Sequence, residues 1–299
     1  MKFRTEYQAL KSSIILDPSN PMVMMGSCFS QNMASKMLSC QWEAMNPAGT
    51  LYNPLSISEV IDMLMDDEGG VQRFEESLFH YNGLWNSHMF DSSFSSSEKE
   101  DCIEQFRQSS RQFQEGLTTG KTLIVTFGTS ICYFLEDKKI AVGNCHKQPA
   151  QLFYRKRLTI AEIKEIWIRL IQRLRKKIPE LKIIFTVSPV RHLKDGFIGN
   201  ARSKSILQLA IEEICGHEKA CEYFPAYEIL NDDLRDYRFY ATDLVHPSDE
   251  GVEYIWEKFT ETYLDEEGLR KIKEGSNKYK SEHHRPKIGA LDKPLRNPY

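Results

Sequence analysis

The sequence predicts an α/β protein built on a parallel sheet. Three observations carry the prediction. Short, continuously apolar runs lie between turn residues, as expected of strands buried on both faces. Longer stretches between them place apolar residues at helical spacing. Helix-start patterns stand at the head of those stretches. The chain has 299 residues, 41% hydrophobic and 27% charged, enough apolar material for a sizeable core and too much for a disordered chain or a disulfide miniprotein.

The elements follow in chain order. Residues 22–25 (MVMM) form the first strand and residues 42–45 a weaker second one. Ser56 and Glu59 make a capping-box pattern before Val60, Ile61, Met63 and Leu64, which predicts a helix there. The serine-rich stretch 90–99 (FDSSFSSSEK) is too short to link domains and reads as a loop into a helix over about 100–114. Residues 123–127 (LIVTF) are a third strand. Thr159 and Glu162 open the best-defined helix, to residue 178, with Ile163, Trp167, Leu170, Ile171 and Leu174 on its apolar stripe. Its run of Lys and Arg over 169–177 lies opposite that stripe and reads as a solvated face. Residues 183–187 (IIFTV) are the fourth strand, a helix follows from about Ser203, 221–224 is a weaker fifth strand, and a last helix covers about 251–263. The domain expected is residues 1–270, with 271–299 a basic, proline-containing tail that is extended or packs across the surface. There is no internal repeat.

Charge and cysteine usage narrow the function. The net charge is -3 and the pI about 6.3, so neither nucleic acid nor a membrane surface is an expected partner. No apolar run approaches the roughly 18 residues of a membrane span. Residues 1–13 lack the apolar core of a secretory signal, so the chain is expected to be cytoplasmic. Seven cysteines, with no CxxC pair, fit neither a disulfide framework nor a structural zinc site. Nothing in the sequence sets the oligomeric state.

Two segments carry chemistry. In residues 22–37 a buried strand ends at Gly26, then comes Ser27, then a helix starts. That places Ser27 at the carboxyl edge of a parallel strand, where ligands bind in open α/β sheets, and at a helix N-terminus that favours negative charge. Serine is also a leading N-cap residue, which is the plainer explanation. Late in the chain, Asp243 and His246 stand three apart before Pro247, a spacing at which a turn lets a carboxylate reach an imidazole Nδ1. A strand-end nucleophile, a base and its orienting acid complete a triad. Cys28 is the rival nucleophile, since a thiol at a helix N-terminus is reactive. If the strand ends at Gly26, only one of two successive side chains faces the site. His88, His146, His192, Arg191 and the turn at Gly128-Thr129 lie in loops that are candidates for substrate contact. His88, His146 and His192 with Cys145 show no i, i+4 spacing of a metal pair, so no metal and no organic cofactor is expected. Arg235, Asp236 and Arg238 read as a scaffold before the Asp243–His246 turn.

Taken together, GSCFS at 26–30, NPAGTLYNPLSI at 46–57, TFGTS at 126–130, GNCHKQP at 143–149, FTVSPVRHLKDG at 185–196 and the segment 223–248 ending DLVHPS resemble the GSCFA family, a branch of the SGNH (GDSL-like) hydrolases. The resemblance runs from about residue 11 to 259. It implies a three-layer α/β/α sandwich with a central parallel sheet of about five strands, and ester hydrolysis or acyl transfer as the activity. By position it implies Ser27 as nucleophile, Asp243 and His246 as its partners, and Gly49 as a backbone oxyanion donor. The usual Gly-x-Asn of the third block is absent. Ser130 stands at the Asn position, and Asn144 in the next loop is the other side-chain candidate for that donor. The substrate implied is a small acyl ester, an O-acetylated carbohydrate among the candidates. The alternative from another class is a non-catalytic glycan- or acyl-binding protein that keeps the fold.

Overall fold

A computed structural model describes residues 4–283. A five-stranded, all-parallel sheet forms the middle layer. Its strands are β1 (Met22–Gly26), β2 (Ala44–Met45), β5 (Thr122–Phe127), β9 (Lys182–Val187) and β10 (Cys221–Phe224), in spatial order β2-β1-β5-β9-β10. The chain winds outward from β1 to β2, then returns past β1 to β5. The switch point of the topology is therefore the crevice at the carboxyl ends of β1 and β5, where open α/β sheets bind ligands.

Alternation along the strands builds the two outer layers. Met22 and Met24 of β1, Ile124 of β5 and Ile184 of β9 face one core, packed by Phe29, Met33 and Met37 of α1 (Cys28–Ser39) and Ile255, Trp256 and Phe259 of α8 (Asp249–Tyr263). Val23, Met25, Leu123, Val125, Ile183 and Phe185 face the opposite core. There they meet α2 (Pro54–Leu64), α4 (Lys99–Gly120), α5 (Ile160–Lys177) and α6 (Gly196–His217), with Trp167 of α5 wholly buried. Every central strand is thus apolar on both faces, which is why each reads as a continuous hydrophobic run. This is the three-layer α/β/α architecture expected.

Several boundaries differ from the sequence reading. The capping box at Thr159 and Glu162 forms, but α2 starts earlier than Ser56. Asn53 is its N-cap, accepting from the Ser56 N–H at 2.8 Å, and Pro54 takes the first turn, where a missing N–H costs nothing. Helix α6 starts at Gly196, so Ser203 is mid-helix and buried. Two antiparallel sheets were not foreseen: the hairpin β3 (Leu78–Tyr81)–β4 (Leu84–Ser87), preceded by α3 (Asp67–Ser77), and the sheet β7 (Ala141–Val142)–β6 (Ile131–Leu135)–β8 (Phe153–Arg157). After β10 the chain makes the short helix α7 (Ala226–Glu228) and a π-helical turn. The expected tail from residue 271 is corrected in part. Helix α9 (Glu266–His283) continues through it, fastened by i, i+4 pairs such as Arg270–Glu274 and by Lys271 on Asp17. Residues 284–299 of that tail lie outside the described residues. Among the described residues no helix is long and apolar enough to cross a membrane.

Candidate active site

The corner after β1 decides which side chain reaches the rim. Gly26 has φ +126°, and a Cβ there would sit 2.1 Å from the Thr126 carbonyl oxygen, so only glycine lets β1 lie this close to β5. Ser27 is the N-cap of α1 in extended conformation, yet its side chain makes no capping bond. Its N–H donates to the Thr126 carbonyl at 3.2 Å. The residue is 1% exposed, and its Oγ is buried with no hydrogen-bond partner among the described residues. Ser27 therefore points into the protein. The next residue, Cys28, opens the helix, is half-buried, and lines a cavity of about 380 Å³. Of the two successive side chains, the thiol borders the cavity and the Ser27 hydroxyl does not.

Burial pushes the Cys28 thiol pKa up. The backbone N–H groups of Cys28 and Phe29 at the start of α1 act against that, as does the Lys204 ammonium, while the Asp243 carboxylate raises it further. Burial prevails, so the resting sulfur is a thiol and needs a base.

The same cavity is bordered by His246. Its turn is built by local bonds. Asp243 Oδ1 accepts from the N–H groups of Val245 (2.9 Å) and His246 (3.0 Å), and Oδ2 meets His246 Nδ1 at 2.6 Å. Leu244 takes a left-handed φ of +58° to close the loop, and the Ala241 N–H bonds the His246 carbonyl at 2.8 Å. Those N–H donors hold the Asp243 carboxyl down to about 2. An ionised carboxylate fixes the proton on Nδ1 and leaves Nε2 with its lone pair. The spacing of three thus does what the sequence suggested.

Of the other expected residues, Thr129, Asn144, Arg191 and His192 border the cavity. Asn144 Oδ1 accepts from the His146 N–H at 2.8 Å, which fixes the amide, and its Nδ2 has no acceptor among the described residues. His192 is driven down to about 4, first by burial and then by the nearby Lys204 charge, so it is neutral. The rest do not line the cavity, and each has another engagement. Gly49 (φ +69°) lies against the Asp91 carboxylate, and its N–H points at the Asn46 carbonyl at 3.4 Å. Ser130 is fully buried, its hydroxyl on Ser203 at 3.1 Å. Gly128 gives its N–H to the Tyr52 carbonyl at 2.7 Å. The imidazole of His146 bonds the Ser87 and Phe90 carbonyls at 2.7 and 3.0 Å. His88 stacks on Phe79 and meets Gln148 at 3.1 Å. At Gly128, Ser130, His88 and His146 a partner far along the chain claims the polar group, and at Gly49 it is Asn46, three residues back.

Sequence reasoning missed Tyr52, Arg155, Lys194 and Asp195, which also border the cavity, and the buried Lys204. Lys204 is 1% exposed, and its Nζ donates to the carbonyls of Gly128 (2.8 Å) and Ser188 (2.7 Å), tying together the loops after β5 and β9. Burial lowers it to about 7. A lysine in line with Leu207, Ile211 and Ile214 on the buried stripe of α6 is the signal that marks it.

A half-buried thiol at a helix start and the imidazole of an Asp–His pair thus border one cavity, an arrangement that can support nucleophilic chemistry. The model of the GSCFA family matches residues 21–259, and the chain belongs to that family. No curated protein sequence matches. Among solved structures the chain is similar to an acetyl xylan esterase (Est2A) from the rumen bacterium Butyrivibrio proteoclasticus, at 11% identity and a TM-score of 0.34, over 81% of this chain and 62% of that one. It spans less than two thirds of that neighbour's length.

Proposed function

We propose that the protein is a thiol-dependent acyl hydrolase or acyltransferase. The observation that carries the reading is that Cys28 and His246 border one cavity, while the hydroxyl of Ser27 is buried and does not border it. His246 Nε2 takes the Cys28 proton, with Asp243 holding the imidazole by Nδ1. The sulfur attacks the acyl carbonyl carbon, and the oxyanion is held by the Cys28 backbone N–H and the Asn144 amide. The C–O bond to the leaving alkoxide breaks, and His246 returns the proton to it. Water or another acceptor, deprotonated by the same histidine, then attacks the thioester and releases the acyl group and the thiol. In this reading Cys28 takes the role that the family resemblance assigned to Ser27.

The test is p-nitrophenyl ester cleavage, with Cys28→Ala, Ser27→Ala and His246→Ala variants and mass-spectrometric mapping of two labels. Loss of activity in Cys28→Ala and His246→Ala but not Ser27→Ala is expected, with iodoacetamide on Cys28 and no fluorophosphonate on Ser27. Retained activity in Cys28→Ala, or a fluorophosphonate adduct at Ser27, would overturn the reading.

A further inference from the structure

We infer that the cavity selects a substrate whose apolar stretch ends in a carboxylate, received by Arg191. This rests on the acyl-transfer reading for its chemistry but concerns binding alone. The cavity border carries Arg155, Arg191 and Lys194 against a single acid, Asp195. Arg155 and Asp195 are ion-paired with each other, which leaves Arg191 and Lys194. Neither has a carboxylate within ion-pair distance among the described residues; Lys194 Nζ donates only to the Tyr133 hydroxyl, at 2.8 Å.

Arg191 is the better-built of the two. Its guanidinium lies 4.2 Å from the Tyr240 ring centroid and 5.2 Å from that of Tyr237. It donates to their hydroxyls at 3.0 and 3.4 Å, and Tyr240 is held in turn by Asn231 at 3.1 Å. Aromatic faces and hydroxyls fix a guanidinium in place without neutralising it. Two hydroxyls use two of its five N–H donors. The backbone adds a link to the chemistry: the Arg191 N–H donates to the Val245 carbonyl at 3.2 Å, one residue before His246. An immobilised arginine with no carboxylate partner among the described residues keeps N–H donors to spare, and a planar carboxylate is the group its fork matches. The neighbouring His192, neutral in this site, does not compete for that charge. Ile131, Val142 and Val190 supply the apolar part of the border.

The test is calorimetric titration of the folded wild-type chain with pentanoate and with pentanamide, which differ in charge and hardly in shape. Pentanoate is expected to bind at least about tenfold tighter, with the preference shrinking as salt is raised. Arg191→Gln should abolish it and Arg191→Lys keep part of it. Equal affinities in the wild type, or a preference undiminished in Arg191→Gln, would overturn the inference. If Arg191→Gln does not fold by circular dichroism, Arg191→Lys takes its place and must lower the preference severalfold; no change there counts against it. Binding needs no turnover, so a folded protein that prefers pentanoate yet cleaves no ester would sink the thiol mechanism and leave this inference standing.

Discussion

The two halves of the site are held by opposite means. The thiol side is an outgrowth of the core: β1 is buried at every position, Gly26 presses on β5, and Phe29 and Met33 anchor α1 directly behind Cys28. The imidazole side is a surface turn. The side chains of Asp243 and His246 are 49% and 46% exposed and are placed by hydrogen bonds within residues 241–246. Position at the first side is enforced by packing, which tolerates no shift, and at the second by a few local bonds, which each side chain contributes separately. Damage at the first should therefore cost folding or everything, and damage at the second should be graded.

The largest effect is expected at the sulfur: Cys28→Ala should lower ester cleavage by about 10³-fold or more at unchanged melting temperature, measured by stopped-assay kinetics. His246→Ala should cost about 10²–10⁴-fold and Asp243→Asn less than that, since the turn keeps backbone contacts when the carboxylate is lost. If Asp243→Asn equals His246→Ala, the graded view of the turn fails. Gly26→Ala should destabilise by about 3 kcal/mol or more in urea unfolding, because its Cβ has no room and its φ is unfavourable. Lys204 gives a pH signature. Its folded-state pKa of about 7 lies below the usual lysine value, so between those two values the unfolded chain binds more protons. Stability relative to Lys204→Met should then rise with pH, by up to about 1.4 kcal/mol per pH unit from pH 7 towards 10, and be flat below 7. Parallel melting curves of the two proteins check the sign. The smallest effect belongs to Ser27→Ala: activity within about twofold, and stability raised by up to about 1 kcal/mol because an unpaired buried hydroxyl is removed.

Much of the scaffold was legible because both faces of the central sheet are buried. Residues 123–127 and 183–187 have no polar face to obscure them. The Asp243–His246 contact was legible because both partners sit within one turn. What escaped shares a cause in long-range geometry. Strand β8 reads FYRKR and is largely exposed, so no apolar pattern announced it. Ser130 and His146 have suitable chemistry, but Ser203 and the Ser87 carbonyl, 73 and 59 residues away, engage them. The choice between Ser27 and Cys28 turns on a backbone angle at Gly26, and a string of letters carries no sign for it.

The sheet β6–β7–β8 adds a different kind of lesson. It leaves the main chain path after β5 and rejoins at α5, and it brings Ile131, Tyr133, Val142 and Arg155 to the mouth of the cavity without supplying the nucleophile or the base. Its strands β6 and β8 flank the family-like segment 143–149, which carries Asn144, so they can change the cavity border while that segment and the reacting groups stay where they are. Exchanging those two strands between family members is then the direct way to move a preference from one to another.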